Sequence, residues 1–97
     1  MVDTGEDASP FGWDEANVDH IARHGVEWWE VDEVLLNPIR QRLSRTTVAD
    51  EQRFAVIGET LEGRVLVVAY TFRNGLIRPL MARPPSAREA QSYRRRE

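Results

Sequence analysis

His20 and His24 are the two histidines of the chain, and they stand four residues apart. On a helix that spacing puts both rings on one face, where a His pair can bind zinc; the protease form of the motif needs Glu directly after the first His, and here Ile21 follows. Spacing supplies no third ligand and the chain has no cysteine, so no metal site is assigned. His24 admits two readings: a helix C-terminal residue that caps carbonyls, and an acid or base near neutral pH.

The second chemical resource is arginine. All 13 basic residues are Arg and none is Lys. Arg53, Arg64, Arg73, Arg78, Arg83 and Arg88 fall on or beside the expected strands and last helix. A guanidinium is always charged and its planar fork fits two phosphate oxygens at once. If Arg53, Arg78 and Arg83 project from one sheet face, they form a groove for a polyanion. The alternative is a set of solvated strand residues paired with Glu59, Glu62 and Glu89. Tyr93 either packs its ring on the sheet or presents a hydroxyl beside the groove that can relay a proton. Glu89 fits a helix capping box with Ser86.

Charge is divided along the chain. Residues 1–39 hold ten acids and one arginine, whereas residues 40–97 hold twelve arginines and six acids, within a formal net charge of −3. Such asymmetry suits a polyanion partner for the second part. The 97 residues suit one small domain, and 41% hydrophobic content supports a modest core rather than a wholly disordered chain. The longest apolar run, Val65–Tyr70, is far short of the roughly 20 residues that cross a bilayer. The N-terminus is acidic and polar, without the pattern of a signal peptide, so a cytoplasmic location is expected. Nucleophile-elbow, P-loop, dinucleotide and calcium-loop motifs are absent. An enzyme built on this chain is therefore expected to need no cofactor and to work with Arg, His, Tyr and carboxylates. RNA cleavage suits that set, because the 2′-OH of the substrate attacks the adjacent phosphorus and the protein supplies orientation, proton transfer and charge.

Local patterns set the elements that must position these groups. Residues 1–10 read as a disordered acidic tail and 11–97 as a single domain. Phe11–Trp13 suits a short strand. Asp14 is a good N-cap for a helix to about His24, stopped by Gly25. A second helix opens at Glu27 and closes at Asn37-Pro38, with Trp28, Val31, Val34 and Leu35 as its apolar stripe and Trp29 partly exposed. Strands are expected over 39–45, 52–60, 64–73 and 76–83, with a polar loop over 46–51 and a tight turn over 61–64. The run RVLVVAYTFR suggests a central strand buried on both faces. Asn74-Gly75 is a hairpin signal, and Pro79 argues for an edge strand or a bulge. Ser86-x-x-Glu89 opens a last helix to about Arg96. The order of two helices, a four-stranded antiparallel meander and one helix defines an α+β domain.

Phe11-x-Trp13-Asp14-Glu15, Asn17, Arg23-His24-Gly25-Val26, Asn37-Pro38, Glu51-x-Arg53-Phe54, Ile57-Gly58, Gly63-Arg64-x-Leu66-x-Val68-x-Tyr70-Thr71, Ile77-Arg78, Ala82-Arg83, Glu89 and Tyr93 form an ordered set. This set resembles the BrnT toxin family over about residues 11–94. The resemblance implies a RelE-like fold and a ribonuclease toxin of a type II toxin–antitoxin pair that arrests growth. It also implies neutralisation by a BrnA-like ribbon-helix-helix antitoxin, with DNA reached only through that antitoxin when the complex represses its operon. By position it places the family's basic residues at Arg53, Arg64, Arg78 and Arg83, with His24 in its Lys/Arg-His-Gly motif. The expected roles are Arg78 and Arg83 at the scissile phosphate, Arg53, Arg64 and Arg88 on flanking RNA, and His24 or Tyr93 in proton transfer. The chain departs from the family pattern at Gly12, Met81, Pro84-Pro85 and Ala90. Those departures leave a second reading open, a catalytically weakened binding module acting with an antitoxin in operon repression.

Overall fold

The computed structural model describes residues 10–95. Residues 1–9 of the expected tail lie outside them, whereas the Pro10 carbonyl accepts the Ile77 N–H at 2.7 Å. In chain order the elements are α1 (Glu15–Ala22), α2 (Trp28–Leu36), β1 (Gln41–Val48), β2 (Glu51–Glu59), β3 (Val65–Arg73), β4 (Leu76–Arg83) and α3 (Ala87–Arg95). This is the expected α+β order. Phe11 makes a single parallel bridge to Ile77 rather than a strand.

Capping fixes the helices. The Asp14 carboxylate accepts the Asn17 N–H at 2.8 Å, and Glu15 lies in the first turn. The helix ends at Ala22, two residues before the expected limit, so His24 stands in the turn that follows. At α2 the Glu30 carboxylate reaches back to the Glu27 N–H at 3.0 Å, and Asn37 Oδ1 accepts the Ile39 N–H at 3.0 Å beyond Pro38. At α3 the reciprocal pair is complete: Ser86 N–H to Glu89 at 2.8 Å and Glu89 N–H to Ser86 Oγ at 3.1 Å.

The sheet is antiparallel in the order β1-β2-β3-β4. Period-two alternation gives it two faces. Val56, Leu66, Val68 and Ala82 meet Ile21, Val31, Val34 and Leu35 of α1 and α2 on one face. Ile57 and Val67 meet Tyr93 of α3 on the other. β3 is thus buried on both sides, as its unbroken apolar run requires. Gly58 leaves room for α2 and the segment after it, since a Cβ there would lie 3.1 Å from Arg40 Cβ and 3.2 Å from Val34 Cγ1. Trp13 donates its indole N–H to Asp32 at 2.7 Å, and partial burial pushes the Asp32 carboxyl up from its ordinary value. Trp28 sits at the end of its stripe, about half-exposed and edge-on to Trp13, and Trp29 is exposed as expected.

Pro79 meets both expectations: β4 is an edge strand, and the register slips between Ala69 and Tyr70 so that Leu80 bulges out beside it. The first hairpin differs from the sequence reading. β1 spans 41–48 instead of 39–45, and the expected six-residue loop shrinks to Ala49-Asp50, with φ of 50° and 65°. Thr46, Thr47 and Val48 are β-branched and extend the strand despite their exposure. The two left-handed residues form a tight hairpin without the usual Asn-Gly, whereas Asn74-Gly75 makes its turn with φ of 54° and 76°. Ala49→Asn with Asp50→Gly relieves the left-handed strain and is expected to stabilise the domain by about 1 kcal/mol, read from a denaturant melt.

Candidate functional site

The register sorts the arginines. Arg53, Thr71 and Arg78 form one cross-strand row, and Ile57, Val67 and Arg83 form another. Arg53 and Ile57 are four residues apart on β2, so both rows belong to the face that carries α3 and that α1 and α2 leave free. The condition for a polyanion groove, three arginine positions on one face, is met in the backbone register. The two rows are roughly 13 Å apart along the strands.

Carboxylates hold each of these side chains. Arg83 is forked onto Glu89, Nη1 to Oε1 at 2.8 Å and Nη2 to Oε2 at 3.0 Å, and Nη1 also donates to the Pro84 carbonyl at 3.1 Å. Arg78 turns to Asp14 at 3.1 Å, at the β4 edge where Asn17 donates to the Pro79 carbonyl at 2.7 Å. The Arg78 Nε and Asn17 Oδ1 atoms are buried there without a partner among the described residues, a local cost for a packed junction. Glu51 is shared, accepting Arg53 Nε at 3.3 Å and Arg73 Nε at 2.7 Å. The pairing alternative is therefore real, but its acids are Asp14, Glu51 and Glu89, while Glu59 serves another group.

That other group is Tyr93. Its ring is buried between Ile57 and Val67, and its hydroxyl donates to Glu59 Oε1 at 2.9 Å. The packing reading of Tyr93 holds. Arg64 lies with the helices: its Nη1 donates to the Gly25 carbonyl at 3.0 Å and to Glu30 at 2.9 Å. His24 is the neighbour of Gly25, exposed and edge-on to His20 with ring centroids 5.4 Å apart. The structure thus groups His24 with Arg64 on the helix side, and Arg83 with Glu89 and α3 on the other. Arg88 is exposed on α3 without an ion pair among the described residues. No group of three or more His, Asp or Glu side chains is arranged to hold a metal among the described residues.

The electrostatics follow from these contacts. The Arg83 fork and the Ser86 N–H pull the Glu89 carboxyl from 4.5 down to about 2. Asp14 is lowered by the Asn17 N–H and by Arg78, and Glu51 by Arg73 and Arg53. The sign of the linkage is that of a depressed carboxylate. The Glu89 contribution to stability is complete above about pH 4.5 and is lost as pH falls towards about 2. Glu89→Gln is therefore expected to melt below the parent near neutral pH and to match it at about pH 2, read from thermal melts across that range.

The sequence reading offers Glu89 both as a cap for Ser86 and as a partner of the strand arginines, and the one carboxylate does both, holding Arg83. The same reading gives no role to Glu51, which gathers two arginines. No local pattern signals the Arg73 contact, since Arg73 and Glu51 are 22 residues apart.

A three-helix, four-stranded α+β domain with arginines rising from one open sheet face is a scaffold suited to an anionic partner. The family model described as ribonuclease toxin, BrnT, of type II toxin–antitoxin system matches residues 13–89, and the chain belongs to that family. A search of curated proteins finds no match. No helix among the described residues is long and apolar enough to cross a membrane.

Proposed function

We propose that this chain is the toxin of a type II toxin–antitoxin pair, a ribonuclease that cleaves RNA by attack of the substrate's own 2′-OH and thereby arrests growth. The observation that carries the reading is the placement of Arg53, Arg78 and Arg83 by register on one sheet face. Arg83 meets the reacting phosphate. Its fork exchanges Glu89 for two phosphate oxygens and offsets the charge that builds on them in the pentacovalent transition state. Arg78 and Arg53, two rows away on that face, hold flanking phosphates, and Arg64 and Arg88 contact RNA further out. Proton transfer from the 2′-OH and to the departing 5′-oxygen falls to His24 or Tyr93. The first requires RNA to reach the helix side, and the second requires Tyr93 to leave Glu59. The chemistry needs no metal or other cofactor. The partner is a BrnA-like ribbon-helix-helix antitoxin, and DNA is bound only through it.

A second reading, a binding module that acts with an antitoxin in repression, is favoured by one observation: the groove arginines are already neutralised by carboxylates. Expression of the chain with and without its antitoxin separates the two. The toxin reading expects growth arrest that the antitoxin relieves, together with RNA cleavage by the purified chain. Normal growth and intact RNA would leave the binding module.

A further inference from the structure

Uncompensated arginines also lie away from the groove. Arg42 and Arg45 of β1 carry no ion pair among the described residues, and Arg40 donates only to the Asn37 carbonyl, at 2.9 Å. The register puts Arg45 in one row with Phe54, Tyr70 and Pro79, and Arg42 in the row of Val56, Val68 and Ala82. Leu43 bulges between the two, so both arginines belong to the helix-side face. There a depression of about 220 Å³ is lined by Pro38, Arg40, Arg42, Val56 and Tyr70, with no carboxylate. Tyr70 stacks on Phe54 with centroids 5.4 Å apart and planes at 23°, and Phe72 stands edge-on to both at 5.8 Å. Cross-strand packing accounts for the Phe54–Tyr70 pair. Phe72 packs edge-on against both rings and is still 55% exposed.

We infer that this face is a second RNA-binding surface, in which the Phe54–Tyr70–Phe72 rings stack unpaired bases and Arg40, Arg42 and Arg45 take the adjoining phosphates. The inference rests on the RNA reading above and names how the substrate is recognised: as a single strand. Rings at the surface beside uncompensated guanidiniums are what splayed bases and their backbone need. An acidic peptide would satisfy the arginines but leaves the rings without planar partners. The outer edge of β1 leaves the approach open, because among the described residues this strand pairs only with β2.

The test measures binding of a fluorescent single-stranded decanucleotide, 2′-O-methylated so that it cannot be cut, to the full chain at low and physiological salt. Arg42→Ala with Arg45→Ala is expected to weaken binding at least about tenfold at low salt and to reduce the salt slope by roughly 1.4, from about 0.7 per lost phosphate contact. Phe72→Ala is expected to weaken it about tenfold with the slope unchanged. All three positions are exposed, and thermal melts check that the variants stay folded. Parental affinity in both variants, with unmodified RNA still cut by the parent, overturns this inference alone. A parent that neither binds nor cuts overturns the ribonuclease reading as well. Variants that lose the antitoxin but keep RNA make the surface a protein interface and also overturn the inference.

Discussion

Arg83→Ala is expected to lower RNA cleavage by about 10²–10³-fold, the usual loss when one preorganised charge-stabilising donor is removed. The effect falls on the chemical step because the fork meets charge that is greatest in the transition state. The fold should survive. The Arg83 side chain is 41% exposed, and an ion pair of that exposure contributes roughly 0–1 kcal/mol. Glu89 keeps its capping bonds with Ser86 when the guanidinium is gone, so α3 retains its start. Arg83→Lys separates charge from geometry: it keeps the cation, loses the fork and should recover only part of the rate. The measurement is single-turnover cleavage of one RNA by parent and variants, with melts alongside. An Arg83→Ala protein that cuts at the parental rate removes Arg83 from the reaction.

The largest expected loss of stability comes from Leu66→Ala. Leu66 is fully buried on the central strand, in the cluster that joins β2, β3 and β4 to α1 and α2. Truncation removes transfer energy and leaves a cavity in a cluster that includes Val26, Val31, Val34, Val56 and Val68, β-branched side chains with little freedom to close it. A cost of about 3 kcal/mol is expected. A domain of this size has roughly 5–15 kcal/mol in total, so the melting temperature should fall by about 15 °C. A fall of only a few degrees would mean that the two-helix layer is less tightly seated than its burial indicates.

These contrasts explain what could be read from the chain. β3 was legible because an unbroken β-branched and aromatic run has one comfortable place, the middle of a covered sheet. The 74–75 turn was legible because Asn-Gly tolerates positive φ. The 49–50 turn was not, because Ala49 and Asp50 adopt that conformation without advertising it, and the polar Thr46-Thr47 pair outweighed its own β-branching. The site divides in the same way. Arginine types and strand alternation were enough to anticipate three positions on one face. Of their partners Glu89 was among the acids anticipated, whereas Asp14 was not accessible, since it reaches Arg78 across 64 residues of chain. The ring cluster was hidden for a related reason. Phe54 and Tyr70 become neighbours only through the β2–β3 register, which periodicity within one strand does not fix.

In the proposed reaction the substrate's own hydroxyl is the nucleophile, and arginine rather than a metal offsets the charge. End-group analysis of RNA incubated with the purified chain in excess chelator tests it most directly. The expected result is fragments ending in a 2′,3′-cyclic phosphate and beginning with a 5′-hydroxyl, formed at the same rate with and without chelator. Loss of cutting in chelator, or fragments with 3′-hydroxyl and 5′-phosphate ends, would contradict it.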